Sequence, residues 1–376
     1  MVSSGSDSVT PHGTGGVESY VHFISQFIAK AGLQVTVYDS TRNTPGRQYL
    51  VTFVPAISIF RSTYIQRKVN TLIYGLYVAL RLPSDIRHQE ADAVVVNSNL
   101  ALIFLYPVLK AFQIPYVYVC HNPTWSDRGG CVSVSNRIRF AFEIATMRSA
   151  SKNVTMSQSV AFNLNKYLGL TRNVMAIPPG VDCSWFGLRD SPDERQPLVT
   201  MVARISPYKN QELVMRSAVQ VKEVFPNVRF LLIGESQHKY LVKLHRMKED
   251  LRLGDSFVLI GKISFGLLQN VMSKTTVFVL PSLQENLPQA LLQAMAAGKP
   301  CVISDIQSLA ELHIDEELVV QTHDVEGLSR VIIDLLRDKN RRSYFGLASR
   351  SRVLNSFTWE HSASVFIQKI LAPVNS

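Results

Sequence analysis

Short runs of apolar residues alternate with longer segments of helical periodicity along this chain, and the alternation occurs twice. The first series includes LQVTVYD, DAVVVNS and PYVYVCHN, and the second includes LVTMVARI, VRFLLIGES and SFVLIGKI. Nearly continuous apolar runs are typical of strands that helices cover on both faces, as in parallel sheets. The sequence therefore predicts an α/β protein with two doubly wound domains.

The stretch PPGVDCSWFGLRDSPDERQP, residues 178–197, separates the two series and is rich in Pro, Asp and Gly. This composition is typical of a linker, and a chain of 376 residues favours two domains over one. We expect an N-terminal domain over 1–180 and a C-terminal domain over 181–355. Ligands of open α/β sheets bind outside the carboxyl ends of the strands, so we expect a cleft where two such edges face each other.

The amino end differs from this pattern. A doubly wound domain is expected to begin with a strand, yet only MVSS and a polar stretch precede the Gly-rich PHGTGG. We interpret residues 1–4 as the end of a first strand. Either the given start is late or this sheet has one strand fewer.

Cysteine use and apolar content argue against several classes of protein. The cysteines form no C-x-x-C pair and no secretory signal opens the chain, which favours a reducing, cytoplasmic compartment over a disulfide framework or a zinc site. The most apolar run, residues 100–119, contains Pro107, Lys110 and Pro115, so we predict a core helix followed by a strand rather than a membrane span. The four cysteines are Cys120, Cys131, Cys183 and Cys301.

The net charge of +10 is concentrated in the first half of the chain. Residues 1–180 contain 16 Lys and Arg against 8 Asp and Glu, a difference of +8, which leaves +2 for residues 181–376. This excess is either an ordinary solvated surface or a surface that meets a phosphate-bearing acceptor or an anionic membrane. No long basic run is present, so we do not expect nucleic acid as a partner.

Two segments carry features of a phosphate site. In PHGTGGVE, Gly15 and Gly16 allow close approach of the backbone to a ligand at a helix N-terminus, although a plain tight turn has the same composition. In ARISPYKN, Arg204 follows a strand and Lys209 comes five residues later. Two fixed cations at a strand end suit a diphosphate, and the alternative is a pair of surface cations.

Two further residues occupy strand ends. His121, in VCHNPTW, is either structural or part of the site expected there. Glu285, in PSLQENLP, precedes Pro288, which we expect to be the first residue of a helix. The backbone N–H groups of Asn286 and Leu287 would then face an anion, and Glu285 could accept hydrogen bonds from sugar hydroxyls. The alternative is an acid that stabilises the helix dipole.

Taken in order, these segments resemble the retaining, nucleotide-sugar-dependent glycosyltransferases of family four, which have two Rossmann-like domains in the GT-B fold. The resemblance runs from GTGGVESYV to SFTWEHSASVFIQKIL. The segments that carry it are IPPGVD, VARISPYKN, FLLIGES, FVLIGKIS and PSLQENLPQALLQAMAAGKPCVISD. It implies that residues 356–376 form a C-terminal helix that crosses back to the first domain.

The resemblance also implies roles by position. Gly15 and Gly16 match the loop near the donor phosphates, and Arg204 and Lys209 match the basic pair that neutralises the diphosphate. His121 matches a histidine near the transferred sugar.

The remaining matches lie around the second domain's strand ends. Glu285 matches the first of two paired glutamates, which contacts sugar hydroxyls, and Ile263 matches a loop whose backbone meets the base. Gln293 stands where the family usually has the second glutamate, which binds the ribose. Glutamine keeps an acceptor oxygen, so we expect weaker donor binding rather than its loss.

The function implied is transfer of a hexose from a nucleoside diphosphate sugar to a glycan or lipid-linked acceptor with retention of configuration. No D-x-D occurs in the chain, so we expect no metal and no other cofactor. A nucleotide-sugar epimerase on the same fold and a non-catalytic nucleotide-sugar or glycan-binding relative are the alternatives. A phosphorylase would need a cofactor lysine or a longer chain.

Residues 58–81 mix basic and aromatic side chains in a helical pattern. We interpret this segment either as a helix that contacts an anionic membrane at its inner face or as an ordinary helix of the first domain. The residues concerned are Phe60, Arg61, Tyr64, Arg67, Lys68, Tyr74, Tyr77 and Arg81.

Overall fold

A computed structural model describes most of the chain. Side chains are not described for 53, 63–68, 134–140 and 167–168. Gly15, Cys131, Phe60 and Arg61 lie outside the described residues, as do the side chains of Tyr64, Arg67 and Lys68. The described ranges are 1–3, 9, 16–39, 48–54, 63–89, 91–98, 101–121, 134–169, 174–186, 193–236 and 238–371.

The chain divides into two compact units. Met1–Pro179 and Trp359–Ser376 make up the first unit, and Gly180–Thr358 makes up the second. These limits differ by a few residues from the sequence expectation of 1–180, 181–355 and 356–376.

The first unit is built on parallel strands. Its strands are β1 (Thr36–Asp39), β2 (Leu50–Phe53), β3 (Val94–Val96), β4 (Tyr116–Cys120), β5 (Lys152–Thr155) and β6 (Val174–Ala176). Its helices before the second unit are α1 (Gly16–Lys30), α2 (Thr63–Gln89), α3 (Leu102–Ala111), α4 (Val134–Ser149) and α5 (Gln158–Leu168).

The strands of this unit have the order expected for a doubly wound sheet, with Val2 between β1 and β3. β1 pairs with β2, and β3, β4, β5 and β6 pair in that order, all in parallel. Val2 forms parallel bridges to Tyr38 of β1 and to Val96 of β3. It therefore lies in the place of the predicted first strand.

Burial explains the continuous apolar runs. Every residue of β3 and β4 is buried, since helices cover both faces of the sheet. The predicted core helix at 100–119 is α3, whose Leu102, Leu105 and Leu109 are buried. α1 is followed by Gly32, which has φ 87°, a left-handed conformation that ends a helix at little cost for glycine.

The second unit repeats the architecture. Its strands are β7 (Leu198–Val202), β8 (Arg229–Ile233), β9 (Phe257–Ile260), β10 (Val277–Leu280), β11 (Cys301–Ser304) and β12 (Val319–Val320). Its helices are α6 (Gln211–Val224), α7 (His238–Asp250), α8 (Phe265–Lys274), α9 (Gln289–Ala296), α10 (Gln307–Ala310), α11 (Val325–Arg337) and α12 (Lys339–Ser356), with 3-10 turns at Pro207–Lys209, Gly254–Ser256 and Glu316–Leu318. The sheet order is β12-β11-β10-β7-β8-β9, with parallel pairing throughout.

The chain then returns to the first unit. Helix α13 (Trp359–Phe366) continues as a π-helical turn over Ile367–Leu371. Trp359 stacks on Phe23 of α1 with ring centroids 4.8 Å apart, and the Ser362 hydroxyl donates to the Pro178 carbonyl at 2.8 Å. The C-terminal segment is therefore part of the first unit's core.

Two classes of feature are missing from the described residues. None of their helices combines the length and apolar content of a membrane span, and they hold no group of three His, Cys, Asp or Glu side chains arranged for a metal ion. Among the described cysteines, Cys120 and Cys301 are buried free thiols.

Candidate active site

At the carboxyl edge of the second unit's sheet, Lys209 and Ser282 both contact one oxygen of the Glu285 carboxylate. The Lys209 ammonium lies 2.5 Å from Glu285 Oε1, and the Ser282 hydroxyl donates to the same oxygen at 2.8 Å. The Glu285 side chain is 5% exposed and that of Lys209 is 21% exposed. The structure thus brings together two residues that the sequence places 76 positions apart.

Partly buried hydrogen bonds hold the group formed by Lys209, Ser282 and Glu285, the trio, in place. Lys209 ends the 3-10 turn, and the next residue, Asn210, has a left-handed backbone with φ 57°. The Asn210 amide donates to the Pro281 carbonyl at 3.1 Å and to the Thr322 carbonyl at 2.8 Å. The loop after β7 is therefore tied to the loops after β10 and β12, which orients the ammonium toward Glu285.

Arg204 lies at the same edge, two residues after β7. The residue is exposed, and its carbonyl accepts a hydrogen bond from the Gln211 side chain at 3.0 Å. A Cβ added to Gly234, directly after β8, would lie 1.9 Å from the Ala203 carbonyl oxygen. Glycine is required there because the two strand ends approach so closely.

The start of α9 differs by one residue from the sequence expectation. Pro288 is the N-cap, with φ −76° and ψ 120°, and the helix begins at Gln289. The expectation that Pro288 is the first helical residue is therefore wrong. The unpaired N–H groups of a first turn belong to residues after the cap, so Asn286 and Leu287 lie in the loop rather than in that turn.

His121 follows β4 in the first unit. Its Nε2 lies 3.1 Å from Asn97 Oδ1, and Tyr20 of α1 contacts the ring edge-on, with centroids 5.0 Å apart. Burial lowers the pKa of His121 to about 3, so the ring is neutral at physiological pH. Gly16, the exposed first residue of α1, lies one turn before Tyr20.

Two protein-family models match nearly the whole chain. Residues 14–185 match the description Glycosyltransferase Family 4, and residues 189–352 match Glycosyl transferases group 1. The chain belongs to the group 1 glycosyltransferases of family four. The predicted family is confirmed.

Curated relatives carry the same kind of activity in their names. One subunit of the phosphatidylinositol N-acetylglucosaminyltransferase of Arabidopsis thaliana is 22% identical, over 85% of this chain and 70% of the relative. A GDP-mannose-dependent alpha-(1-6)-phosphatidylinositol monomannoside mannosyltransferase of Mycobacterium tuberculosis is 21% identical, over 94% of both chains. The protein is a glycosyltransferase that uses a nucleotide sugar.

Solved structures confirm the predicted GT-B fold class. Sucrose-phosphate synthase from Thermosynechococcus elongatus has a TM-score of 0.76 at 20% identity, covering 94% of this chain and 92% of that one. Anabaena HepE in complex with UDP and glucose has a TM-score of 0.76 at 17% identity, covering 97% of both chains. At these identities the likeness establishes the fold alone.

Four other predicted donor-site residues of this glycosyltransferase belong to the second unit: Gln293, Ile263, Asn286 and Leu287. Gln293 is half-buried on the second turn of α9, and no hydrogen bond to its side chain occurs within the described part of the chain. Ile263 is half-buried in the loop between β9 and α8, Asn286 is half-buried and Leu287 is buried. Their predicted roles toward base and ribose stay predictions.

Sequence reasoning missed three polar residues of these strand ends: Ser282, Asn210 and Asn97. Ser282 and Asn210 lie within the quoted segments PSLQENLP and ARISPYKN, next to residues that were singled out. Asn97 follows β3, and β3 pairs with β4. Carboxyl ends of paired parallel strands meet at one edge, so a polar residue after β3 could have been paired with His121.

Proposed function

We propose that this glycosyltransferase moves a hexose from a nucleoside diphosphate sugar to a lipid-linked or glycan acceptor, with retention of configuration. The site needs no metal and no other cofactor, because Arg204 and Lys209 supply positive charge for the diphosphate. We place the reaction in the cytoplasm, at the inner face of a membrane.

The observation that carries the proposal is the contact of Lys209 and Ser282 with Glu285, at the sheet edge where Arg204 also follows a strand. Anions bind where fixed cations converge at strand ends, and Lys209 is held there by its bond to Glu285. Glu285 keeps acceptor capacity beyond the oxygen that Lys209 and Ser282 share. That capacity suits the hydroxyls of the transferred sugar.

The proposed chemistry is a front-face displacement. The bond between the anomeric carbon and the phosphate oxygen breaks, and the acceptor oxygen forms its bond on the same face. The acceptor proton passes to the departing phosphate oxygen. Arg204 and Lys209 stabilise the charge that develops on the leaving diphosphate.

The names of the relatives support a lipid acceptor. Several of them act on phosphatidylinositol or its mannosides, and one acts on a diphosphoundecaprenol-linked sugar. Their donors include GDP-mannose and UDP-galactose, so guanosine- and uridine-diphosphate sugars are the first donors to test.

Donor binding is tested by thermal shift with uridine-, guanosine-, adenosine- and thymidine-diphosphate sugars. A ligand that binds the folded state raises the unfolding temperature, and we expect one nucleotide series to do so. Glu285→Ala should abolish turnover, whereas Glu249→Ala, an exposed acid on α7, should not. Full turnover in Glu285→Ala would refute the assignment.

Retention and cofactor use are tested with the donor found. We expect NMR to show the donor's anomeric configuration in the product and EDTA to leave the rate unchanged. Conversion of the nucleotide sugar to its epimer without acceptor would instead establish the alternative, an epimerase.

A membrane contact is supported by the outer face of α2. Leu72, Leu76 and Leu80 recur every four residues and are 38%, 48% and 75% exposed, so one face of the helix presents an apolar stripe to solvent. Tyr74 is not part of it: this residue is buried, and its hydroxyl donates to the Tyr38 carbonyl at 2.9 Å. The expectation that Tyr74 contacts a membrane is wrong.

Vesicle flotation tests this contact. We expect the protein to float with anionic phosphatidylglycerol vesicles at low salt. The double variant Leu76→Glu/Leu80→Glu should not float, whereas Leu347→Glu, which changes a 55% exposed leucine of α12, should float like the natural protein. Absence of flotation by the natural protein would refute the contact.

A further inference from the structure

Asn97 links the amino-terminal residues of the first unit to His121. Its backbone N–H and its side-chain amide both donate to the Val2 carbonyl, at 3.0 Å and 3.2 Å. Its side-chain oxygen lies 3.1 Å from His121 Nε2. Asn97 itself is buried, with 4% of its surface exposed.

The chemistry of these three groups fixes the position of a proton. A backbone carbonyl can only accept, so the NH₂ end of the Asn97 amide faces Val2 and the oxygen end faces His121. An amide oxygen also only accepts, so a hydrogen bond at Nε2 requires an N–H there. In a neutral imidazole, a proton on Nε2 leaves the lone pair on Nδ1.

The surroundings favour a neutral ring in a fixed plane. Tyr20, which is fully buried, meets the imidazole at an interplanar angle of 83°. Trp359 contacts Tyr20 edge-on with centroids 6.1 Å apart, and it stacks on Phe23. Burial of His121 disfavours the charged imidazolium.

We propose that Asn97 is a positioning residue that holds His121 as the neutral tautomer with its proton on Nε2 and its acceptor lone pair on Nδ1. The inference rests on the proposed function for its consequence in sugar transfer. In this tautomer Nδ1 carries a lone pair and no proton, so the ring has no proton to give at that nitrogen. It does not act as a general acid.

The decisive test is the tautomer itself, measured by ¹⁵N NMR of the full chain labelled at histidine. The His121 signals are identified by their loss in His121→Asn. At pH 7 we expect a protonated Nε2 and an unprotonated Nδ1. A proton on Nδ1, or on both nitrogens, would overturn the proposal whether or not the protein turns over a nucleotide sugar.

Variants then establish that Asn97 is responsible. Asn97→Leu should give a mixture of the two tautomers, and Asn97→Asp, which keeps an oxygen beside Nε2, should retain the Nε2 proton. Asn153→Leu is the matched control: Asn153 is a fully buried asparagine of β5 whose amide donates to the Met147 carbonyl. It should leave the His121 signals unchanged, and an unchanged tautomer in folded Asn97→Leu would overturn the proposal.

Kinetics connect the tautomer to the reaction. With the donor found by thermal shift, we expect kcat to fall about tenfold in Asn97→Leu, the effect of one misplaced hydrogen bond, and Asn97→Asp to recover part of the loss. Equal kcat in Asn97→Leu and Asn153→Leu would refute the role in transfer. Failure of every donor to bind would refute the proposed function and leave the NMR result standing.

Discussion

At the scale of the residue, the ion pair of Lys209 and Glu285 contributes both to stability and to the proposed donor site. The Glu285 carboxylate is almost fully enclosed, and an enclosed charge is stable only when a partner compensates it. The same ammonium is assigned to the diphosphate of the donor. Stability and donor binding therefore depend on one side chain, and they can be separated experimentally.

Lys209→Met should lower the free energy of unfolding by about 2 kcal/mol, because it leaves the Glu285 carboxylate without its cation. This is less than the roughly 3–5 kcal/mol typical of a fully buried pair, since Lys209 is partly exposed. Adding Glu285→Gln should restore most of the stability but not donor affinity. Urea denaturation and donor titration measure the two quantities, and a double variant no more stable than Lys209→Met would contradict the argument.

His121 predicts a dependence of stability on pH. Its pKa is lowered by burial from 6.5 to about 3, so below pH 6.5 the unfolded chain binds a proton that the folded chain does not. The free energy of unfolding that depends on His121 therefore decreases as the pH is lowered from about 6.5 to about 3, by up to about 1.4 kcal/mol per pH unit. Urea midpoints from pH 6.5 to 4.5 should decline less steeply in His121→Gln, and parallel curves would contradict the shift.

At the scale of the element, the site depends on how closely strand ends approach. Ala203 and Gly234 directly follow two neighbouring strands, and a Cβ at 234 would collide with backbone rather than with a side chain that could turn away. Because Ala203 precedes Arg204, any shift that relieves the collision also moves Arg204. Packing and donor binding are therefore coupled at this glycine.

Gly234→Ala should cost about 1–3 kcal/mol of stability, as overpacking does, and should weaken donor binding. Gly266→Ala is the control, since a Cβ there has open space on α8 and alanine favours a helix. Thermal melts and donor titration of both variants measure the difference. Equal donor affinity in Gly234→Ala and Gly266→Ala would show that the position of Arg204 does not depend on the contact between Gly234 and Ala203.

Sequence patterns located most elements of both sheets because burial on both faces leaves continuous apolar runs. The ends of these runs mark the strand ends, so the sequence alone identifies Arg204, His121 and Glu285 as candidate site residues. Contacts between distant loops could not be identified: periodicity carries no information on which strand ends are neighbours, so the bonds of Asn97 to His121 and of Asn210 to Thr322 were missed. The start of α9 was placed one residue early because Pro suits both the cap and the first turn.

At the scale of the whole molecule, the first unit is completed by the end of the chain. Trp359, Phe366 and Ile370 are buried, and Trp359 contacts Tyr20 and Phe23 of α1. A chain whose two ends share one core cannot finish folding that core until the second unit has been synthesised. The C-terminal segment is therefore a structural part of the first unit rather than a tail.

Trp359→Ala tests this arrangement. Removing a buried, stacked aromatic side chain costs about 3–5 kcal/mol, which for a unit of this size corresponds to a fall of about 10 °C in its unfolding temperature. We expect calorimetry to show that fall in the first unit's transition, with the second unit's transition unmoved. Phe162→Ala, which removes a 60% exposed ring of α5 in the same unit, should shift neither transition. If Trp359→Ala left the first unit's transition in place, or lowered both transitions equally, the C-terminal segment would not be part of that unit's core.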